Sequence, residues 1–79
     1  MWVELTVKVD SNEPEHDKVE HDILINLENV HAIFSIYDAE DRREKTNICF
    51  GDGRSNVVVE ESYDDIKNLI KERQAVNYI

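Results

Sequence analysis

Residues 46–70 read TNICFGDGRSNVVVEESYDDIKNLI, and within them the hydrophobic spacing changes from that of a strand to that of a helix. TNICF and NVVV are β-branched, apolar runs of strand length. Between them Asp52-Gly53 suits a tight hairpin turn in which the glycine takes a positive φ. Ser62 can then cap a helix, with Asp65 three residues on and Asp64 beside it at the positive end of the helix dipole. Tyr63, Ile66, Leu69, Ile70 and Arg73 follow at helical spacing, while Lys67, Lys71 and Glu72 are left to water. Strand, hairpin, strand and helix in this order predict an α+β fold with the helix laid on a sheet, because neither element can bury its apolar side alone.

Toward the N-terminus, WVELTVKV at residues 2–9 sets Val3, Leu5, Val7 and Val9 against Glu4, Thr6 and Lys8, the alternation of a half-buried strand. DILINLENVHAIFSIY, residues 22–37, is too β-branched and too regular for a helix. Ile23, Ile25 and Leu27 share one face, and Val30, Ala32, Phe34 and Ile36 share another run. The phase changes across Glu28-Asn29-Val30, which predicts two strands joined by a turn or bulge near Asn29. DAEDRREK, residues 38–45, reads as a charged hairpin loop, residues 10–22 as an acidic loop or insertion, and AVNYI, residues 75–79, as an apolar tail. The expected architecture is a single domain over residues 1–79: a small, hairpin-rich antiparallel sheet of about five strands with one C-terminal helix packed on it. Trp2, Leu24, Ile33, Tyr37 and Val58 are expected on the sheet face away from the helix.

The 79 residues leave room for one small core, and 41% hydrophobic against 34% charged residues is a globular balance. The formal charge of −9 is concentrated. Residues 10–22 hold six carboxylates against Lys18, and residues 60–65 hold Glu60, Glu61, Asp64 and Asp65 against no base. Such a surface repels phosphate backbones and anionic bilayers, so neither direct nucleic-acid binding nor membrane binding is expected. Cys49 is the single cysteine, which rules out an intrachain disulfide and fits a reducing, cytoplasmic compartment. MWVELTVKVD interrupts any apolar run that a signal peptide would need.

EPEHDKVEHD, residues 13–22, contains Glu-His-Asp twice. His16 and His21 are five residues apart, which places them on opposite sides of a strand and about 140° apart on a helix. Neither arrangement chelates, so the expectation is a solvated acidic loop and no metal site. His31 has no acid or nucleophile at a readable spacing, and Cys49 between Ile48 and Phe50 reads as packing. FGDGRSN is glycine-rich, yet it leads into valines where a phosphate loop needs Gly-Lys-Ser/Thr at a helix start. No catalytic residue, cofactor site or enzyme is expected.

The Leu5-Thr6 strand, Ile25-Asn26 through Val30, Asp52-Gly53, Val57 to Val59 and Glu61-Ser62 through Ile66 follow one another in an order that resembles the small FlbD/SwrD-type proteins, linked to flagellar and swarming motility, and other short bacterial and phage proteins of similar pattern. The resemblance covers most of the chain and implies the same small fold, without catalytic residues. Residues and resemblance together lead to a non-enzymatic protein-interaction or regulatory module. The alternative is an acidic inhibitor that mimics nucleic acid; a metal- or nucleotide-binding protein is a third reading. A homodimer is expected, with Trp2, Ile33, Tyr37, Val58, Val76, Tyr78 and Ile79 as the apolar residues at its interface or at that of another protein.

Overall fold

The N-terminal alternation forms strand β1 (Trp2–Asp10), which pairs antiparallel along its length with β2 (Lys18–Asn26), Trp2 opposite Asn26 and Asp10 opposite Lys18. The computed structural model describes residues 1–10 and 18–77. A 3₁₀ turn at Leu27–Asn29 leads to β3 (Val30–Asp38), then β4 (Arg43–Phe50) and β5 (Asn56–Val59), which form a second antiparallel sheet in the order β3-β4-β5. Helix α1 (Tyr63–Asn77) follows.

The content is α+β, but the strands divide into two sheets rather than forming one of five. The cause lies where β1 meets β5. β5 is four residues long, and the chain leaves it at Glu60, whose N–H donates to the Thr6 carbonyl at 2.7 Å. The Thr6 N–H donates in turn to the Glu61 carboxylate at 2.9 Å. β5 ends before a ladder with β1 can develop, so the two sheets are joined by a backbone bond and a side-chain bond.

Residues facing one another across antiparallel strands share a side of the sheet. Val3 faces Ile25 and Leu5 faces Ile23 in the hairpin; Ile33 faces Ile48, and Ile48 faces Val57, in the other sheet. These sides meet in one core, closed by Ile66, Leu69 and Ile70 of α1. The sheet register slips between Val30, opposite Phe50, and Ala32, opposite Cys49, so His31 is the extra residue of a β-bulge. The bulge turns both Val30 and Ile33 to the core and sends Ala32, Phe34 and Ile36 to the outer side. Ile33, expected on the open face, is therefore a core residue.

Several boundaries also differ from those read in the sequence. Of the charged loop at 38–45 only residues 39–42 form the turn, closed by the Asp38 carboxylate accepting from the N–H groups of Glu40 and Asp41. Of the acidic segment, Asp10 ends β1 and Lys18 to Asp22 belong to β2, because they continue the pairing with residues 6–10; the rest lies outside the described residues. Ala75 to Asn77 continue α1 instead of starting a tail. The glycine hairpin spans residues 51–55, longer than a two-residue turn. Gly53 has φ +70°, and the Asp52 carboxylate accepts from the N–H groups of Arg54 and Ser55 at 2.9 Å each. Ser62 caps α1, its Oγ accepting from the Asp65 N–H at 3.2 Å.

Candidate interaction surface

The core takes one side of each sheet and leaves the other open among the described residues, except at Lys45, which stands opposite Ile36 and is covered by Asp38, Asp41 and Glu60. On the hairpin this outer side carries Trp2 and Leu24, diagonal neighbours across β1 and β2 and 57% and 65% exposed. On the three-stranded sheet it carries Ala32, Phe34 and Ile36 of β3, Cys49 of β4 and Val58 of β5. Phe34 is 53% exposed, and the Asn56 side chain donates to Asn47 at 3.0 Å beside Val58. Isolated apolar residues on a surface are ordinary; neighbouring ones on one face of a sheet define a patch.

Of the residues singled out from sequence, Trp2 and Val58 do lie on this outer side and are exposed. Tyr37 is also exposed, but it shares the side of Ile33 and stands opposite Glu44. It is open because it lies at the far end of β3 from the bulge, away from Val30 and Ile33, which pack into the core. Val76 falls in the last turn of α1, where side chains are outside the description, and Tyr78 and Ile79 lie outside the described residues. Uninterrupted alternation would put Phe34 on the face of Val30; the bulge at His31 makes it the central outer residue of β3.

An ionic cluster holds this surface in place, and sequence spacing did not disclose it. Lys45, read as part of a charged loop, is buried in β4. Its ammonium contacts Asp38 at 2.7 Å, Glu60 at 3.1 Å and also Asp41. Lys8 of β1 reaches Asp41 at 2.8 Å and Glu60 at 3.3 Å, and Arg43 donates to the Glu60 carboxylate at 2.7 Å and to the Glu60 carbonyl at 3.0 Å. Three cations thus meet three carboxylates drawn from β1, the β3–β4 hairpin and the exit of β5. The cluster ties the two sheets together at the point where the backbone ladder is missing.

Burial works against the charge on Lys45, but hydrogen bonds to Asp38, Asp41 and Glu60 outweigh it and hold its pKa above the usual lysine value. Lys45 and then Lys8 keep the Asp41 carboxyl well below the ordinary range. Burial of Glu60 is likewise overcome by Lys45 and Lys8, so that its pKa is lowered. The neighbouring Thr46 is fully buried, and its hydroxyl donates to the Glu61 carbonyl at 2.9 Å. Glu60 and Glu61, which look like half of an acidic surface cluster in the sequence, are therefore internal fastenings. Asp64 and Asp65 remain at the helix start and are exposed.

Two open grooves flank the bulge. One, of about 730 Å³, runs between Glu28, His31, Phe50 and Asp52; the other, of about 590 Å³, between Met1, Leu27, Ile33 and Ile70. In the first, the Asp52 carboxylate is engaged by its own turn, with backbone N–H groups of Arg54 and Ser55 lowering its pKa. His21 lies exposed on β2 opposite Val7, whereas His16 lies outside the described residues. Among the described residues no three His, Cys, Asp or Glu side chains are placed to hold a metal ion, and no helix is long and apolar enough to cross a membrane. Comparison with family models, with curated proteins and with solved structures gave no match.

Proposed function

We propose that this chain is a small, non-enzymatic protein-interaction or regulatory module of the cytoplasm, which binds other chains, its own copies included, through the outer side of its sheets. The observation that carries this reading is the set of exposed apolar side chains there, Trp2, Leu24, Phe34 and Val58, presented on strands fastened by the Lys45 cluster. Side chains carried on paired strands bring little backbone ordering cost to binding, which suits this surface to recognition. The order of structural motifs shared with FlbD/SwrD-type proteins supports the same reading, since those motifs are turns, caps and core positions. Nucleic-acid mimicry draws less support, because Glu60 and Glu61 turn inward. Affinity capture with the intact chain and with a Trp2→Asp, Leu24→Asp variant tests the proposal. A partner retained by the parent and lost by a variant of unchanged circular dichroism supports it; a partner bound equally by both shows that this surface is not the binding site.

A further inference from the structure

With β1 set against the end of β5, the two sheets leave β2 and β3 as their outer strands, and the chemistry of these two edges differs sharply. β2 is the outer strand of the hairpin and carries Lys18, Glu20, His21 and Asp22 within its first five residues, Val19 being the one apolar residue among them. Charges of this kind on an edge discourage pairing with a second chain. β3 is the outer strand of the three-stranded sheet, paired on one side with β4 and on the other with nothing among the described residues. Its sequence, VHAIFSIYD, contains no lysine, arginine, glutamate or proline, and its one carboxylate, Asp38, is bound to Lys45. It is a nine-residue edge whose single protective device, the bulge at His31, lies near its start and leaves Ala32 to Asp38 regularly paired with β4.

We propose that β3 is the homodimer contact of this protein, pairing antiparallel with β3 of a second copy about a two-fold axis through Phe34; the proposal rests on the interaction reading above. The strand pattern is self-complementary about that residue. With Phe34 opposite its own copy, Ala32 falls opposite Ile36 on both sides of the axis, so the outer face of the joint is apolar without a break. On the other face Ile33 meets Ser35. The bulge at His31 limits the pairing at one end and Asp38 at the other. Charge selects this edge over β2. Two copies of net charge −9 repel, and an antiparallel joint through β2 would gather Glu20 and Asp22 of both chains, whereas the β3 joint brings none together. The product is a continuous six-stranded sheet whose outer side unites the apolar patches of both copies. Pairs of identical strands are the simplest isologous contact, and closure at two copies follows because β3 is consumed.

The contact is small and of the weak class, and screening of the net charge by salt should favour the dimer. Light scattering of the full chain between about 5 and 500 µM, at low and moderate salt, brackets such a weak interface. Phe34→Lys and Phe34→Glu, substitutions at an exposed site, should each give monomers, and an equimolar mixture of the two should restore the two-chain mass. Leu24→Lys on β2 should leave the dimer intact. Hydrogen exchange on the unaltered protein provides a readout that does not depend on the variants folding: β3 amides directed away from β4 should be protected at high concentration and exchange freely when dilute. A monomer throughout the range overturns both this proposal and the expectation of self-association. A dimer that survives Phe34→Lys, or β3 amides indifferent to concentration, overturns the β3 contact alone.

Discussion

Replacing Lys45 by methionine removes the ammonium while keeping most of the side-chain volume, and so isolates what the charge contributes. The parent places that ammonium against three carboxylates, with Lys45 and Glu60 side chains 4% and 8% exposed and Asp38 and Asp41 at 23% and 32%. Taking one partner from a buried pair costs about 3–5 kcal/mol; allowing for the water that reaches the two aspartates, about 2–3 kcal/mol is expected. A domain of this length holds only about 4–12 kcal/mol in total. The melting temperature should therefore fall by roughly 10–20 °C. The pH dependence carries a sign that simple loss of packing lacks. In the parent Asp38, Asp41 and Glu60 have lowered pKa values, so their contribution is present above the unfolded carboxyl pKa and is lost as pH falls through the folded values. In Lys45→Met these carboxylates lose their shared cation, their pKa values rise, and protonation relieves their repulsion. The gap between parent and variant should narrow as pH is lowered from about 7 to about 4.5, near the ordinary carboxyl range. Thermal denaturation followed by circular dichroism at both pH values is the assay. A variant that melts within about 3 °C of the parent at neutral pH, against the shift expected for this domain size, refutes the reasoning, as does a gap independent of pH.

Gly53→Val should cost about 1–2 kcal/mol, and by backbone strain alone, because φ is +70° and a Cβ there meets nothing within 4 Å. Gly53→Asn should lose clearly less in the same denaturant titration. Ser62→Ala removes the hydroxyl that accepts from Asp65 and should lower stability by about 1 kcal/mol, read as a shifted urea midpoint with unchanged slope. Ile48→Ala, at a site 1% exposed between Ile33 and Val57, should cost about 2–5 kcal/mol and leave a chain only partly folded at 37 °C. Because Asp10 and Lys18 face each other, replacing residues 11–17 by Asn-Gly should preserve the hairpin and the far-ultraviolet spectrum, whereas also deleting residues 18–20 should lower the melting temperature by removing their pairing with residues 8–10.

The acidic composition, the five strands, the capped helix and the glycine at positive φ were all legible in the chain, because each depends on neighbours within a few residues: alternation for β1, Ser62 and Asp65 for the cap, Asp52-Gly53 for the turn. Three features were decided only by tertiary contact. His31 became a bulge residue because Val30 must meet Phe50 while Ile33 meets Ile48, and that slip exchanged the roles expected of Ile33 and Phe34. Lys45 and Glu60 lie fifteen residues apart in stretches that read as solvated charge, and became buried only when Lys8 arrived from a third element; periodicity carries no information about such a meeting. The division into two sheets depends on β5 ending at Val59, since the Thr6 contact with Glu60 and Glu61 replaces a ladder by two bonds. Local spacing determines which segments are strands and helix, whereas the edges left open, and the charges drawn inward, are settled by which distant segments compete for the same core.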